Sequence, residues 1–465
     1  MSTSTLFRFH TGERKPTNPK QVDAIADYLR LDAKERKELE EAFYVAQEGE
    51  YTYYSRKQIQ ELIGNFSVYE THVDPLFVNI KLDMGKKSIR VLNHKYDVRR
   101  AISSLIFSEC AKEEKVSIYT NRISQFLVHT IDEACTKYPN LIISHIFLTD
   151  NTYAMDEHYQ LYNIKLCEML LPMGIKHPNY EARYCYGSKN LHPLEENTLC
   201  NALLVGDYTI LFSSDYSSGI ITDDPEIRLQ QETIFRTIEK DSKPYFSSVD
   251  YGNEKFLLTL HELQEKSNAQ TPVYGFINGL CLAMALKDQD PWAYSHLAPD
   301  FDNRDAFLAY YFEYIRQYKE IRKSFGPAFQ DVYVAQGLDY FVEEGLLNEI
   351  HPEDVVPFDR EERIAFLKQW REVFLANDCK MIDLPGFPSR SSLNILATPK
   401  QTVFLCARRG GITYTTACLE PEMSQLFYSY IEHVLQNHEM EQTECWNHFK
   451  ALIRSLEEEI EQKGK

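Results

Sequence analysis

Between residues 95 and 245, strand-length apolar runs alternate with helix-length amphipathic stretches, and this alternation limits the fold more than any other feature of the chain. A helix carrying Val98, Ala101, Ile102, Leu105 and Ile106 leads into a strand at Val116–Tyr119. A second helix, Ile123–Tyr138, is followed by the apolar strand Leu141–Leu148. Tyr159–Leu171 is again helical, and residues 180–187 read as a strand. Ala202–Val205 and Tyr208–Phe212 then flank Gly206-Asp207, the pattern of a hairpin. Residues 96–248 are therefore expected to form an α/β domain.

On either side the pattern changes. Residues 66–95 mix apolar positions with Pro75 and Gly85 and read as a connecting segment holding a strand or two. Residues 249–465 read as a helical and α+β C-terminal portion. Its helices are expected over Phe256–Glu265, Tyr274–Leu286, Phe307–Tyr318 and around Gly337–Leu347, then over Glu361–Phe374. Strands are expected at Lys380–Leu384, Leu393–Leu396 and Val403–Cys406, with a turn at Arg408-Arg409-Gly410-Gly411. Two helices, Pro421–Gln436 and Gln442–Gln462, close the chain; the last aligns Trp446, Phe449, Leu452, Ile453 and Leu456 in a stripe suited to packing or to a homodimer. No internal repeat is read within this C-terminal portion.

The first 65 residues read as all-helical. Ser/Thr residues open a short helix on which Leu6 and Phe9 share a face, and Gly12 suits its left-handed end. Asn18-Pro19 restarts a helix, and Asp32 with Glu35 has the spacing of a capping box. Ser55 is expected to open a further helix.

The run Ser-Thr-Ser-Thr-Leu-Phe-Arg-Phe, the turn Gly12-x-Arg14-Lys15-Pro16 and the helix Ile25-Ala26-x-x-Leu29 resemble the recognition helix, turn and fourth helix of XRE-family helix-turn-helix domains, the Cro and phage-repressor type. The resemblance covers about a tenth of the chain and begins at Met1, where family members carry two more helices upstream. It implies that Ser2, Thr3, Ser4, Phe7 and Arg8 face double-stranded DNA, that Arg14 and Lys15 grip phosphate, and that Leu6, Phe9, Ile25 and Leu29 are domain core.

A second resemblance lies at the hairpin. Leu204–Phe212 followed by Ser213-Ser214-Asp215 looks like part of a phospholipase D-like module, whose signature is His-x-Lys-x-x-x-x-Asp. Here Asn201 and Leu203 stand where His and Lys belong, and Asp207 comes one position early. Without the imidazole nucleophile the module would be catalytically degenerate, a sensor or docking platform.

Charge bounds the function. The net charge of −19 argues against coating nucleic acid by overall charge, so any DNA contact must be local. Residues 1–20 carry Arg8, Arg14, Lys15 and Lys20 against Glu13 alone. The ten cysteines include no C-x-x-C pair, which fits reduced cytoplasmic thiols, and no apolar run approaches membrane-spanning length. No phosphate loop, G-x-S-x-G elbow or H-E-x-x-H is present, and His145 inside its apolar strand reads as a satisfied core histidine. Neither a catalytic residue nor a metal site nor a cofactor is nominated.

The expected fold class is multidomain α+β: an all-α helix-turn-helix unit over residues 1–65, an α/β middle domain and an α+β C-terminal portion. The expected function is a bacterial-style, cytoplasmic, DNA-binding transcriptional regulator, not an enzyme, whose large C-terminal region senses a small-molecule or peptide effector or oligomerises. The alternative is a non-DNA-binding sensor or scaffold that retains a degenerate helix-turn-helix.

Overall fold

The computed structural model describes residues 3–66, 88–110, 115–149, 161–186, 199–248, 271–281, 296–299, 301, 304–391, 393–407 and 413–463. Their fold is α+β, with four leading helices and two mixed sheets.

The leading helices are α1 (Thr3–His10), α2 (Pro19–Leu29), α3 (Ala33–Glu48) and α4 (Glu50–Asn65). Asn18 caps α2 by accepting from the Gln21 N–H, and Asp32 and Glu35 form the expected capping box. Val22, Ile25, Ala26 and Phe43 are buried between the helices. α4 starts at Glu50 rather than at Ser55; Ser55 is buried within the helix, where its hydroxyl donates to the Thr52 carbonyl. A serine inside a helix can turn its hydroxyl back onto the preceding turn, so the residue type alone does not mark a start.

The first sheet contains β1 (Ile89–Leu92), β2 (Lys115–Thr120), β3 (Ile142–Thr149), β4 (Tyr180–Tyr186), β5 (Asn201–Val205), β6 (Tyr208–Phe212), β7 (Gly219–Thr222) and β8 (Lys243–Pro244). Helices α5 (Lys95–Glu109), α6 (Gln125–Lys137), α7 (Tyr162–Lys176) and α8 (Pro225–Asp241) lie between them. The expected hairpin is β5–β6, and Gly206 supplies its positive φ of 55°.

The second sheet contains β9 (Phe246–Ser248), β10 (Val273–Ile277), β11 (Phe329–Val334), β12 (Lys380–Ile382), β13 (Leu393–Thr398), β14 (Gln401–Ala407) and β15 (Thr413–Cys418). Around it lie α9 (Arg304–Phe325), α10 (Ala335–Glu344), α11 (Arg360–Ala376), α12 (Pro421–His438) and α13 (Gln442–Lys463). The helix expected from Tyr274 is instead the strand β10, every residue of which is buried. Val, Tyr, Phe and Ile suit a strand covered on both faces, and a continuous apolar run carries no period to separate the two structures. The expected helix at Phe256–Glu265 and the turn at residues 408–411 lie outside the described residues.

The topology contains a repeat. The first sheet has the order β1-β7-β6-β5-β2-β3-β4-β8, and the second, read from β9, has β9-β15-β14-β13-β10-β11-β12. Even the last place is matched, because Ile382 of β12 bridges to Glu439 where β4 pairs with β8. In both sheets the first three long strands are parallel and the hairpin is antiparallel to the central one. The helix after each hairpin sheet starts alike: Asp224 before Pro225 caps α8, and Glu420 before Pro421 caps α12.

The two halves share one apolar core that includes Ile143 and Phe147 from the first sheet and Ile395 and Phe404 from the second. α4 is fastened to both halves. Its Gln58 side chain accepts the Leu161 N–H at the start of α7, and its Ile63 carbonyl accepts the Ser391 hydroxyl at 2.7 Å. Gly64 lies so close to Pro388 that a Cβ would come within 2.9 Å of the ring. The α13 stripe packs on α11 within the chain: Phe449, Ile453 and Leu456 are buried, and the Trp370 and Phe449 rings lie 5.5 Å apart.

Candidate nucleic-acid interface

α1 ends where the residue types require. The Thr11 N–H donates to the Phe7 carbonyl, the Gly12 N–H to that of Phe9, and Gly12 takes a φ of 73°. The chain then folds back, so that the Arg14 N–H reaches the Arg8 carbonyl at 3.1 Å and the Arg14 guanidinium lies 6.0 Å from the Phe9 ring centre. Gln47 of α3 holds the turn from behind by donating to the Pro16 carbonyl.

This places Phe7, Arg8, Arg14 and Lys15 at the surface, on and next to α1. Thr3 and Ser4 belong to α1, whereas Ser2 and the side chains of Thr3, Ser4 and Leu6 lie outside what is described. Of the expected core residues, Ile25 is buried and Phe9 is half-buried, but Leu29 is 56% exposed. Leu29 is the last residue of α2, and Arg30 next to it turns left-handed. Tyr28 and Phe7 are exposed as well.

The second place of interest is the pair of hairpin strands. Asn201 opens β5 and is buried. Its Oδ1 accepts the Asn121 N–H at 2.7 Å, and its Nδ2 donates to the Phe212 carbonyl at 3.1 Å and to Ser214 Oγ at 3.4 Å. Beside it, Asp215 accepts from the Ser213 hydroxyl and the Ser217 N–H. Burial pushes the Asp215 pKa up, but these hydrogen bonds outweigh it and leave the carboxyl below its ordinary range. The groups around Ser213 are thus Asp215, Ser217 and the Ser218 main chain.

Asn394 has the same place in β13. Its Oδ1 accepts the N–H of Asn278, which follows β10 as Asn121 follows β2. Leu396 stands two residues on, as Leu203 does after Asn201. In both halves an amide therefore ties a hairpin strand to the end of the central strand. Sequence reasoning found Asn201 and missed Asn394; the shared triplets Asn-Ala-Leu and Asn-Ile-Leu were the available signal. Tyr311, Tyr318, Glu349 and Cys281 line a small cleft next to Asn394, and both tyrosines are buried.

His145 lies at the centre of β3, with Nε2 2.9 Å from Thr120 Oγ1 and Nδ1 2.8 Å from the Tyr180 hydroxyl. Full burial lowers its pKa to about 3, so it is a neutral core residue, as its surroundings in sequence suggest. Among the described residues no helix is long and apolar enough to cross a membrane.

No family model matches the chain, and no curated protein sequence matches it. Among solved structures it is similar to NucT from Helicobacter pylori, at 14% identity over 34% of this chain and 98% of that one, with a TM-score of 0.24. It is also similar to TrmBL2, an archaeal chromatin protein with a novel mode of DNA binding, at 14% identity over 49% and 72% of the two chains and a TM-score of 0.23. A phosphatidylserine synthase from Haemophilus influenzae Rd KW20 is similar at 8% identity over 88% and 98%, with a TM-score of 0.24.

Proposed function

We propose that this chain is a DNA-binding transcriptional regulator in which α1 and the turn after it engage double-stranded DNA, and the duplicated-sheet body serves sensing and self-association. The observation that carries the reading is the outward display of Phe7, Arg8, Arg14 and Lys15 on a helical unit whose opposite side packs through Val22, Ile25 and Phe43. Helix surface, guanidinium groups and a positive turn are what phosphate and base edges recognise. On a body of net charge −19 they form a local basic footprint. In the same reading the two hairpins carry out no phospho-enzyme chemistry, because both equivalent positions hold an asparagine hydrogen-bonded to main chain.

The test is fluorescence anisotropy of the full chain with promoter-length duplexes across a salt series. The wild type is expected to bind with an affinity that falls as salt rises, and the double variant Arg14→Ala, Lys15→Ala to lose about two units of the log–log slope. Binding of no duplex, or a slope unchanged by the double variant, overturns the reading.

One observation favours a second reading, a scaffold that does not bind DNA. Phe7, Tyr28 and Leu29 leave apolar surface open at the very place where a DNA-reading domain needs bracing. Under this reading the same titration is flat for every duplex.

A further inference from the structure

The repeat makes α8 and α12 equivalent helices, each following a hairpin sheet and each capped by an acid before proline. They are seated differently. α12 buries eight residues, among them Phe427, whose ring lies 5.0 Å from Phe404 of β14. α8 buries Phe235 alone and leaves Leu229 66% and Ile234 43% exposed. The space that aromatic side chains fill under α12 is open under α8.

That space is a cavity of ≈ 230 Å³ between α8 and the β5–β6 hairpin, walled by Ala202, Leu204, Leu211, Phe235 and Ile238. It opens to solvent on one side; a closed cavity of about 150 Å³ lined by Leu, Ile and Phe takes benzene, so the volume here suffices for a single small ring system. None of the described lining residues carries a charge; the polar side chains on the wall include Cys200, Gln231 and Asn201. The Asn201 amide is spent on Asn121, Phe212 and Ser214. Among the described lining residues an ionised ligand would find no counter-charge to offset its lost hydration.

We propose that this cavity is a binding site for an uncharged aromatic small molecule, between benzene and indole in size. The site belongs to the first half alone, since the second half fills the equivalent space with its own side chains. The inference does not depend on DNA binding, and its test contains no DNA.

Indole is titrated into the full chain by calorimetry, and the alkylation rate of Cys200 by N-ethylmaleimide is followed by peptide mass mapping with and without indole. Saturable one-to-one binding is expected, with Cys200 alkylation slowed several-fold. Ala202→Leu and Leu211→Trp, each checked for native circular dichroism, are expected to weaken binding at least tenfold by filling the space, and indole-3-carboxylate is expected not to compete. Should either variant misfold, Cys200 protection in the wild type still decides. Absence of both binding heat and Cys200 protection, equal binding by the folded filled variants, or competition by the carboxylate overturns the proposal.

Discussion

Asn201 and Asn394 occupy the same position in two sheets of the same strand order, and each accepts on Oδ1 the main-chain N–H of the asparagine that follows the neighbouring central strand. A carboxamide accepts and donates at once, so one short side chain satisfies a strand end on one side and a hairpin carbonyl on the other. In both sheets this position is used as a staple.

Replacing Asn201 with Leu strands the Asn121 N–H and the Phe212 carbonyl in a buried place. A loss of about 2–4 kcal/mol is expected, from two unmade hydrogen bonds of about 1–3 kcal/mol each with some relaxation. Asn394→Leu is expected to cost less, because Asn394 is only half-buried. Urea unfolding of the two variants compares them, and a larger loss for Asn394 would contradict the roles given to both.

α4 is the mechanical link between the basic helical unit and the body. Ser391→Ala removes the hydroxyl donated to the Ile63 carbonyl and is expected to destabilise by about 1–3 kcal/mol. The effect should appear as faster amide exchange at the C-terminal end of α4, with the sheets unchanged. Uniform acceleration across β3 and β14 would mean that the contact supports the global fold instead.

Arg8 lies exposed on α1, whereas Arg14 and Lys15 lie on the turn. Arg8→Ala is therefore expected to change the ranking of duplex sequences, by about 1–3 kcal/mol at the favoured base, while turn variants lower affinity for all duplexes alike. Selection from a randomised duplex pool reads this directly. An unchanged ranking with uniformly weaker binding would assign Arg8 to phosphate.

His145 gives the fold an acid sensitivity. Its folded pKa is lowered to about 3, so between its ordinary unfolded value of about 6.5 and pH 3 the unfolded chain binds a proton that the folded chain refuses. Stability at this site is fully present above pH 6.5 and falls by up to about 1.4 kcal/mol per pH unit below it. Between pH 7 and pH 5 the wild type should lose about 2 kcal/mol more than His145→Gln in urea unfolding. Parallel pH profiles for the two proteins would show that another group governs the acid limb.

Much of this was written locally in the chain. The caps Asn18 and Asp32, the left-handed Gly12, the β5–β6 hairpin and the core role of His145 each depend on a few adjacent residues, so residue type and spacing settle them. The same holds for the basic residues around α1, which are exposed because charge and helix position leave them nowhere else to go. What sequence could not settle depends on partners distant along the chain. Val273–Ile277 is a strand because β11 and β13 flank it, and its fully buried apolar run has no period of its own. Leu29 is open because no other element covers the end of α2 among the described residues, a fact of packing rather than of pattern. The duplication, and with it the meaning of Asn394, is plain in strand order and hydrogen bonds and leaves in sequence only short traces such as Asn-Ala-Leu and Asn-Ile-Leu: a topology tolerates almost any apolar side chains that fill it, so two halves can keep one architecture after most of their sequence likeness is gone.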